Sequence, residues 1–258
     1  MSNQKILETS LDDAVLSLRL NDPKTRNSLS NPMRDALCDA VQRASRDPEV
    51  KVVYLTGSGN SFCAGGNVEN LRALKTPGDI HARFRNLGTW LLPLIRLEKP
   101  LIVGLNGKAI GGGMGLAILG DIVIASEEAE LVSNFFKLGV VPDVALLYLL
   151  PRLIGLAKAR NIFYANTTLS AKYAHELGLV TNVVSADDLD RVCRERAREF
   201  ANGTHMALGL AKLLMARSFE LDLDTMFLLE GLAQSVTMSD TEFHERLSAF
   251  LEKRSTLI

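Results

Sequence analysis

Three cysteines in 258 residues form no disulfide framework. They point instead to a reducing compartment, where a fold is held by its core. An excess of charge of either sign is also missing. Lys and Arg number 29 against 30 Asp and Glu, a formal net charge of −1. No global field therefore draws the chain to nucleic acid or to an anionic membrane, and any polyphosphate ligand needs a local basic cluster. No apolar run reaches the ~18 residues that a membrane span requires. Met1 to Ser10 has neither the apolar core of a secretory signal nor an Arg-rich amphipathic pattern. His81, His175, His205 and His244 are scattered, with no metal-ligand spacing. A low-complexity linker is absent as well. These absences predict a cytoplasmic protein without a resident metal or cofactor.

Two glycine-bearing turns carry the most information. In the first, Val50 to Thr56 is rich in β-branched residues and reads as a buried strand. It runs into Gly57-Ser58-Gly59-Asn60-Ser61-Phe62-Cys63-Ala64-Gly65-Gly66-Asn67. In the second, the apolar strand Leu101 to Leu105 leads to Lys108-Ala109-Ile110-Gly111-Gly112-Gly113, and a helix is predicted over Met114 to Leu119. Glycine admits backbone angles closed to other residues and lets a ligand approach the main chain. The first amides of a helix lack internal partners and carry partial positive charge. A strand, a glycine turn and a helix start thus suit an anionic oxygen, either a phosphate or a transient oxyanion. A Walker loop is excluded, because Met114-Gly115-Leu116 does not supply Gly-Lys-Ser/Thr. A dinucleotide fingerprint fits poorly, because a further strand, Asp121 to Ala125, ends before the acids Glu127, Glu128 and Glu130. Two amides converging from separate loops on one oxygen would form an oxyanion hole.

The remaining pattern alternates strand and helix, which predicts an α/β core. Asn31-Pro32 is expected to open a helix as cap and first residue, with Met33, Leu37, Ala40, Val41 and Ala44 on its buried face. Ala201-Asn202-Gly203-Thr204 is the best hinge. It separates a core domain, residues 1–200, from a helical region, residues 201–258, with helices predicted over Ala207 to Arg217, Thr225 to Val236 and Asp240 to Lys253.

These residues resemble the enoyl-CoA hydratase/isomerase (crotonase) superfamily. The likeness rests on Phe62 to Asn67, Asn106 to Gly113 and Asp121 to Ala125. It extends to Asp22 to Leu29, Leu138 to Asp143, Leu169 to Val180 and Ser248 to Arg254, so it covers nearly the whole chain in order. The resemblance implies a spiral of ββα repeats, with C-terminal helices that build a homotrimer or a dimer of trimers. It also implies an acyl-CoA thioester as partner, with coenzyme A as part of the substrate. By the same resemblance, Ala64 and Gly112 match the two oxyanion-hole amides. The substrate-binding set becomes Cys63, Ala64, Gly65, Gly66, Asn67, Gly111, Gly112 and Phe135, with Lys24, Arg26 and Lys253 toward CoA. For Lys24 and Arg26 the alternative is solvated loop charge, and for Cys63 a small buried hydrophobe.

The departures from the family pattern choose the subclass. Hydratases of the family keep two glutamates, at positions that here are Gly115 and Phe135. Neither residue moves a proton, and adding water across a double bond needs both a base and an acid. One carboxylate remains, Asp143 in Val140-Val141-Pro142-Asp143, where family isomerases place their lone acid. Apolar surroundings would raise its pKa and make it a better base. The alternative reading is a cap for a helix starting at Val144. The expected reaction is a 1,3-proton shift converting a 3-enoyl-CoA to a 2-enoyl-CoA. The alternatives are a hydratase or other acyl-CoA lyase with an unlocated acid, or a non-catalytic acyl-CoA- or RNA-binding member. Val144-Ala145 stands where the family often has glycines, which reshapes the acyl pocket.

Overall fold

The apolar runs become strands buried on both faces. A computed structural model describes residues 5–255, with side chains described as far as Glu252. The chain separates into two compact units, one ending at Ala201 and one beginning at Asn202. The first contains β1 (Leu7–Asp12), β2 (Val15–Leu20), α1 (Asn31–Arg46), β3 (Val52–Gly57), β4 (Ser61–Cys63), α2 (Val68–Ala73) and α3 (Pro77–Ile95). It continues with β5 (Leu101–Leu105), β6 (Lys108–Ile110), α4 (Gly112–Ala117), β7 (Ile122–Ser126), β8 (Glu130–Val132), α5 (Leu146–Ile154) and α6 (Leu156–Tyr164). It closes with β9 (Thr168–Ser170), α7 (Ala171–Glu176), β10 (Asn182–Val184) and α8 (Leu189–Ala201).

Three successive strand pairs, β3/β4, β5/β6 and β7/β8, divide in the same way. The first strand of each enters a six-stranded sheet of order β1-β2-β3-β5-β7-β10, and the second enters a four-stranded sheet of order β4-β6-β8-β9. Pairing in the large sheet is parallel except for β1 with β2. This is the expected α/β spiral of ββα repeats. A strand's side chains alternate between faces. Val53, Leu55, Leu101, Val103, Leu105, Val123 and Ala125 therefore join the main core with α1 and α3. Val52, Tyr54, Ile102 and Ile124 face the other way, against Leu189, Cys193 and Ala197 of α8.

Several boundaries differ from the sequence reading. Helix α1 is capped by Ser30, whose hydroxyl accepts from the Met33 amide, rather than by Asn31. Its stripe Met33, Leu37, Ala40, Val41 and Ala44 is buried as expected, and Arg34 is buried with it. The helix after the glycine triplet spans Gly112–Ala117 rather than Met114 to Leu119, because Gly111 itself ends the extended chain.

The second unit holds α9 (His205–Met215), α10 (Leu223–Met238) and α11 (Thr241–Ser255). The first two begin two residues earlier than expected; for α10 the Asp222 side chain accepts from the Thr225 amide. No residue of α10 is buried, and Phe227, Leu228 and Leu232 are exposed. The Lys253 side chain, a CoA candidate, lies outside the described residues. Among the described residues no helix is long and apolar enough to cross a membrane.

Candidate active site

The first glycine loop is positioned by the segment before α1. Asn27, fully buried with φ of 57°, donates its amide to the carbonyls of Ser58 and Ser61. That contact fixes Arg26, also left-handed at φ 56°. The Arg26 carbonyl then accepts from the Ala64 amide at 2.9 Å. The expected oxyanion donor Ala64 is thus already engaged by the protein's own backbone. Next to it, the Gly65 carbonyl accepts from Leu29 N at 2.7 Å, and Gly65 N points to Cys63 Sγ. After Ala64 and Gly65, the Gly66 amide has no acceptor among the described residues.

The second loop abuts the first. Gly111 adopts φ 54° and ψ −116°, a region that side chains exclude. A side chain on Gly113 would collide with the Cys63 carbonyl. A Cβ on Gly65 would stand 3.0 Å from the Gly112 amide nitrogen. Gly112 opens α4, and its amide too has no acceptor among the described residues. The two glycine turns therefore bring the unpaired Gly66 and Gly112 amides together at the sheet ends.

Asp143 stands beside them. Its Oδ1 is 3.3 Å from where a Cβ on Gly112 would lie. The side chain is 19% exposed, and burial raises its pKa above the ordinary carboxylate value, opposed by Arg83 and, less, by Arg34. Arg83, from α3, reaches across with Nη2 at 3.9 Å from Asp143 Oδ2. It also comes within 3.4 Å of where a Cβ on Gly66 would lie. Asp143 caps nothing: α5 begins at Leu146 with Ala145 as its flanking residue and no side-chain cap. Between them, Val144 and Ala145 are both left-handed, at φ 51° and 61°. For a β-branched residue this is a strained conformation of the kind stored at functional sites.

Val144 also explains the missing acid. A Cβ on Gly115 would lie 2.5 Å from the Val144 carbonyl oxygen. Phe135 is buried, its ring tip 3.6 Å from where a Cβ on Gly111 would lie, so it walls the second loop.

The other candidates sort by exposure. Cys63 is wholly buried and its thiol is pushed up to about 12 by burial, so its side chain packs as a small hydrophobe. Asn67 caps α2 and donates to Ser28 Oγ. Lys24 and Arg26 have exposed side chains on the loop before α1. The described residues hold no cluster of His, Cys, Asp or Glu that could bind a metal.

Sequence reasoning missed Arg34 and Arg83. A signal was available, since both lie on apolar stripes. Arg34 precedes Leu37, Val41 and Ala44 at helical spacing, and Arg83 precedes Leu87, Trp90, Leu91 and Leu94. A charged residue in a buried stripe needs a reason, and here the reason is the site.

The family model for enoyl-CoA hydratase/isomerase matches residues 10–257. The chain belongs to that family, whose members are enzymes acting on acyl-CoA thioesters. It is 35% identical, over 95% of both chains, to the 1,2-epoxyphenylacetyl-CoA isomerase of Escherichia coli. It is 31% identical to the short-chain-enoyl-CoA hydratase of Clostridium acetobutylicum, over 98% of this chain and 96% of that one. The enoyl-CoA hydratase/isomerase of Cupriavidus metallidurans has the same fold, with a TM-score of 0.92 at 31% identity, covering 98% of this chain and 96% of that one.

Proposed function

We propose that this chain shifts a double bond in an acyl-CoA thioester, converting a 3-enoyl-CoA to a 2-enoyl-CoA with Asp143 as the single base. The observation that carries this reading is one carboxylate beside Gly112, with both hydratase acid positions replaced by Gly115 and Phe135. The thioester oxygen is held by the amides of Gly66 and Gly112. Gly66 takes the place expected of Ala64, whose amide is bonded to Arg26. Asp143 removes a proton from C2, and the electron pair moves onto the thioester oxygen as a dienolate. The protonated Asp143 then returns the proton to C4. A raised pKa favours this cycle, because a base closer in pKa to the working pH both takes and returns a proton. Two amides aimed at the oxyanion stabilise the dienolate by about 3 kcal/mol each.

The test follows the absorbance of a 3-enoyl-CoA at the enoyl-thioester band. Asp143→Asn is expected to slow isomerisation at least ~10²-fold while retaining CoA-ester binding. An Asp143→Asn rate equal to wild type would overturn the assignment. The hydratase reading keeps one support, the hydratase relatives, and it prevails if wild type hydrates a 2-enoyl-CoA rapidly without isomerising a 3-enoyl-CoA. The second unit, residues after Ala201, is assigned to assembly as a homotrimer or dimer of trimers. The exposed apolar residues of α10 support this, and a monomer in light scattering at micromolar concentration would refute it.

A further inference from the structure

Two arginines and one carboxylate meet at the site. Arg34 is 3% exposed, and its Nη2 donates to Asn31 Oδ1. Its Nε is buried with no hydrogen-bond partner among the described residues. Arg83 Nη1 is likewise buried and unpartnered, while Nη2 faces Asp143. The groups sense one another, since Arg83 and Asp143 both act on Arg34, as does Asp35 from the exposed side of α1. Burial and the neighbouring Arg83 together pull the Arg34 pKa below its ordinary value.

Asp143 is the one carboxylate at the site, Asp35 acting on Arg34 from the exposed side of α1, and two buried N–H donors, Arg34 Nε and Arg83 Nη1, have no partner among the described residues. Burying an unpaired charge is costly, and buried guanidinium groups are kept where something pairs them. Asp143 can balance only one of the two, and it loses its charge when it holds the substrate proton. Leu71 reaches the same loop, with Cδ1 3.3 Å from where a Cβ on Gly66 would lie. An apolar side chain and a guanidinium therefore flank the Gly66 position together.

We propose that the acyl pocket is built for thioesters whose acyl chain ends in a carboxylate, that is, monothioesters of dicarboxylic acids, with Arg83 as the specificity-determining residue and Arg34 behind it. The inference rests on the thioester-binding reading above and names its substrate class. A carboxylate brings a second negative charge to the site beside Asp143 and accepts from a planar guanidinium in two-point geometry. A saturated aliphatic tail of the same length leaves both donors buried and unpaired, and so is discriminated against.

The experiment uses calorimetric binding of unreactive saturated thioesters to the full-length protein: glutaryl-CoA against valeryl-CoA, and adipoyl-CoA against hexanoyl-CoA. The expected result is that at least one dicarboxylic ester binds about tenfold or more tighter than its matched partner. In Arg83→Met that preference falls to within about twofold, and in Arg83→Lys part of it returns. Thermal melts establish that the variants are folded. Matched pairs binding wild type equally, or the aliphatic member binding more tightly, would overturn the inference and leave the thioester reading intact. A preference that survives in Arg83→Met would also overturn it. Failure of all four thioesters to bind would sink the thioester reading itself.

Discussion

A Cβ placed on Gly115 would stand 2.5 Å from the carbonyl oxygen of Val144 and 2.8 Å from its Cβ. The backbone of the Asp143–Ala145 segment thus occupies the space that a glutamate at position 115 needs. The loop can take this path because Val144 and Ala145 both accept left-handed conformations, and Val144 is in turn buried against the glycine helix. The absence of an acid at position 115 and the shape of the Asp143–Ala145 segment are therefore a single structural fact.

From this contact, restoring the acid at one position will not restore hydration. Gly115→Glu is expected to displace the Asp143–Ala145 segment and destabilise the protein by at least ~2 kcal/mol, since overpacking against fixed backbone cannot be relieved by a rotamer change. At this size the midpoint falls by roughly 2–4 °C per kcal/mol. Scanning calorimetry and a 2-enoyl-CoA hydration assay check both halves. A stable Gly115→Glu protein that hydrates would contradict the contact.

The pH dependence follows from Asp143. Burial raises its pKa and Arg83 opposes that rise. The acid limb of kcat/KM for isomerisation is therefore expected above the ordinary carboxylate range, and Arg83→Met should move it higher still. Stability carries the same signature with the opposite benefit. As pH rises past the ordinary carboxylate value, the unfolded chain ionises before the buried Asp143 does. The folded state then holds more protons, so stability falls until the raised pKa is passed and levels off above it. Asp143→Asn should flatten that segment of a melting-temperature profile. An Arg83→Met limb that moves to lower pH would show that Arg83 is not the opposing charge.

Strain at the loop is testable without touching the base. Ala145 sits at φ 61° in a region that costs a side-chain-bearing residue about 1–2 kcal/mol. Glycine removes that cost and adds back somewhat less through the unfolded chain. Ala145→Gly is therefore expected to stabilise by up to about 1 kcal/mol. A denaturant midpoint below that of wild type would refute the strain.

Thiol chemistry offers a check on the first glycine loop. Cys63 and Cys193 are buried, and both thiols are pushed up to about 12 by burial. Cys38 is only partly buried. Brief alkylation of the folded protein near pH 8 should add at most one group, at Cys38, by intact mass and peptide mapping. Rapid labelling of Cys63 would mean that the loop opens.

Local chemistry wrote much of this molecule into its sequence. β-Branched runs bounded by glycine announced β3, β5 and β7, because a strand buried on both faces needs apolar side chains throughout. The glycine triplet announced α4, and the replacement of two acids by Gly115 and Phe135 was plain from the letters. Helix starts were less legible. Ser30 and Asn31 can both cap, and only the path of the preceding loop selects Ser30.

Tertiary structure decided the site. Which amide remains free in Cys63–Asn67 depends on where the Arg26 carbonyl lands, a contact spanning 38 positions of sequence that no local propensity encodes. The pairing of Arg83 with Asp143 depends on α3 crossing above a loop sixty residues later. That cluster, a buried and a partly buried guanidinium beside one carboxylate, exists only once three separate elements have packed. Backbone propensity is a property of neighbours in sequence; electrostatics and hydrogen-bond satisfaction are properties of neighbours in space, and the chemistry of this protein belongs to the second kind.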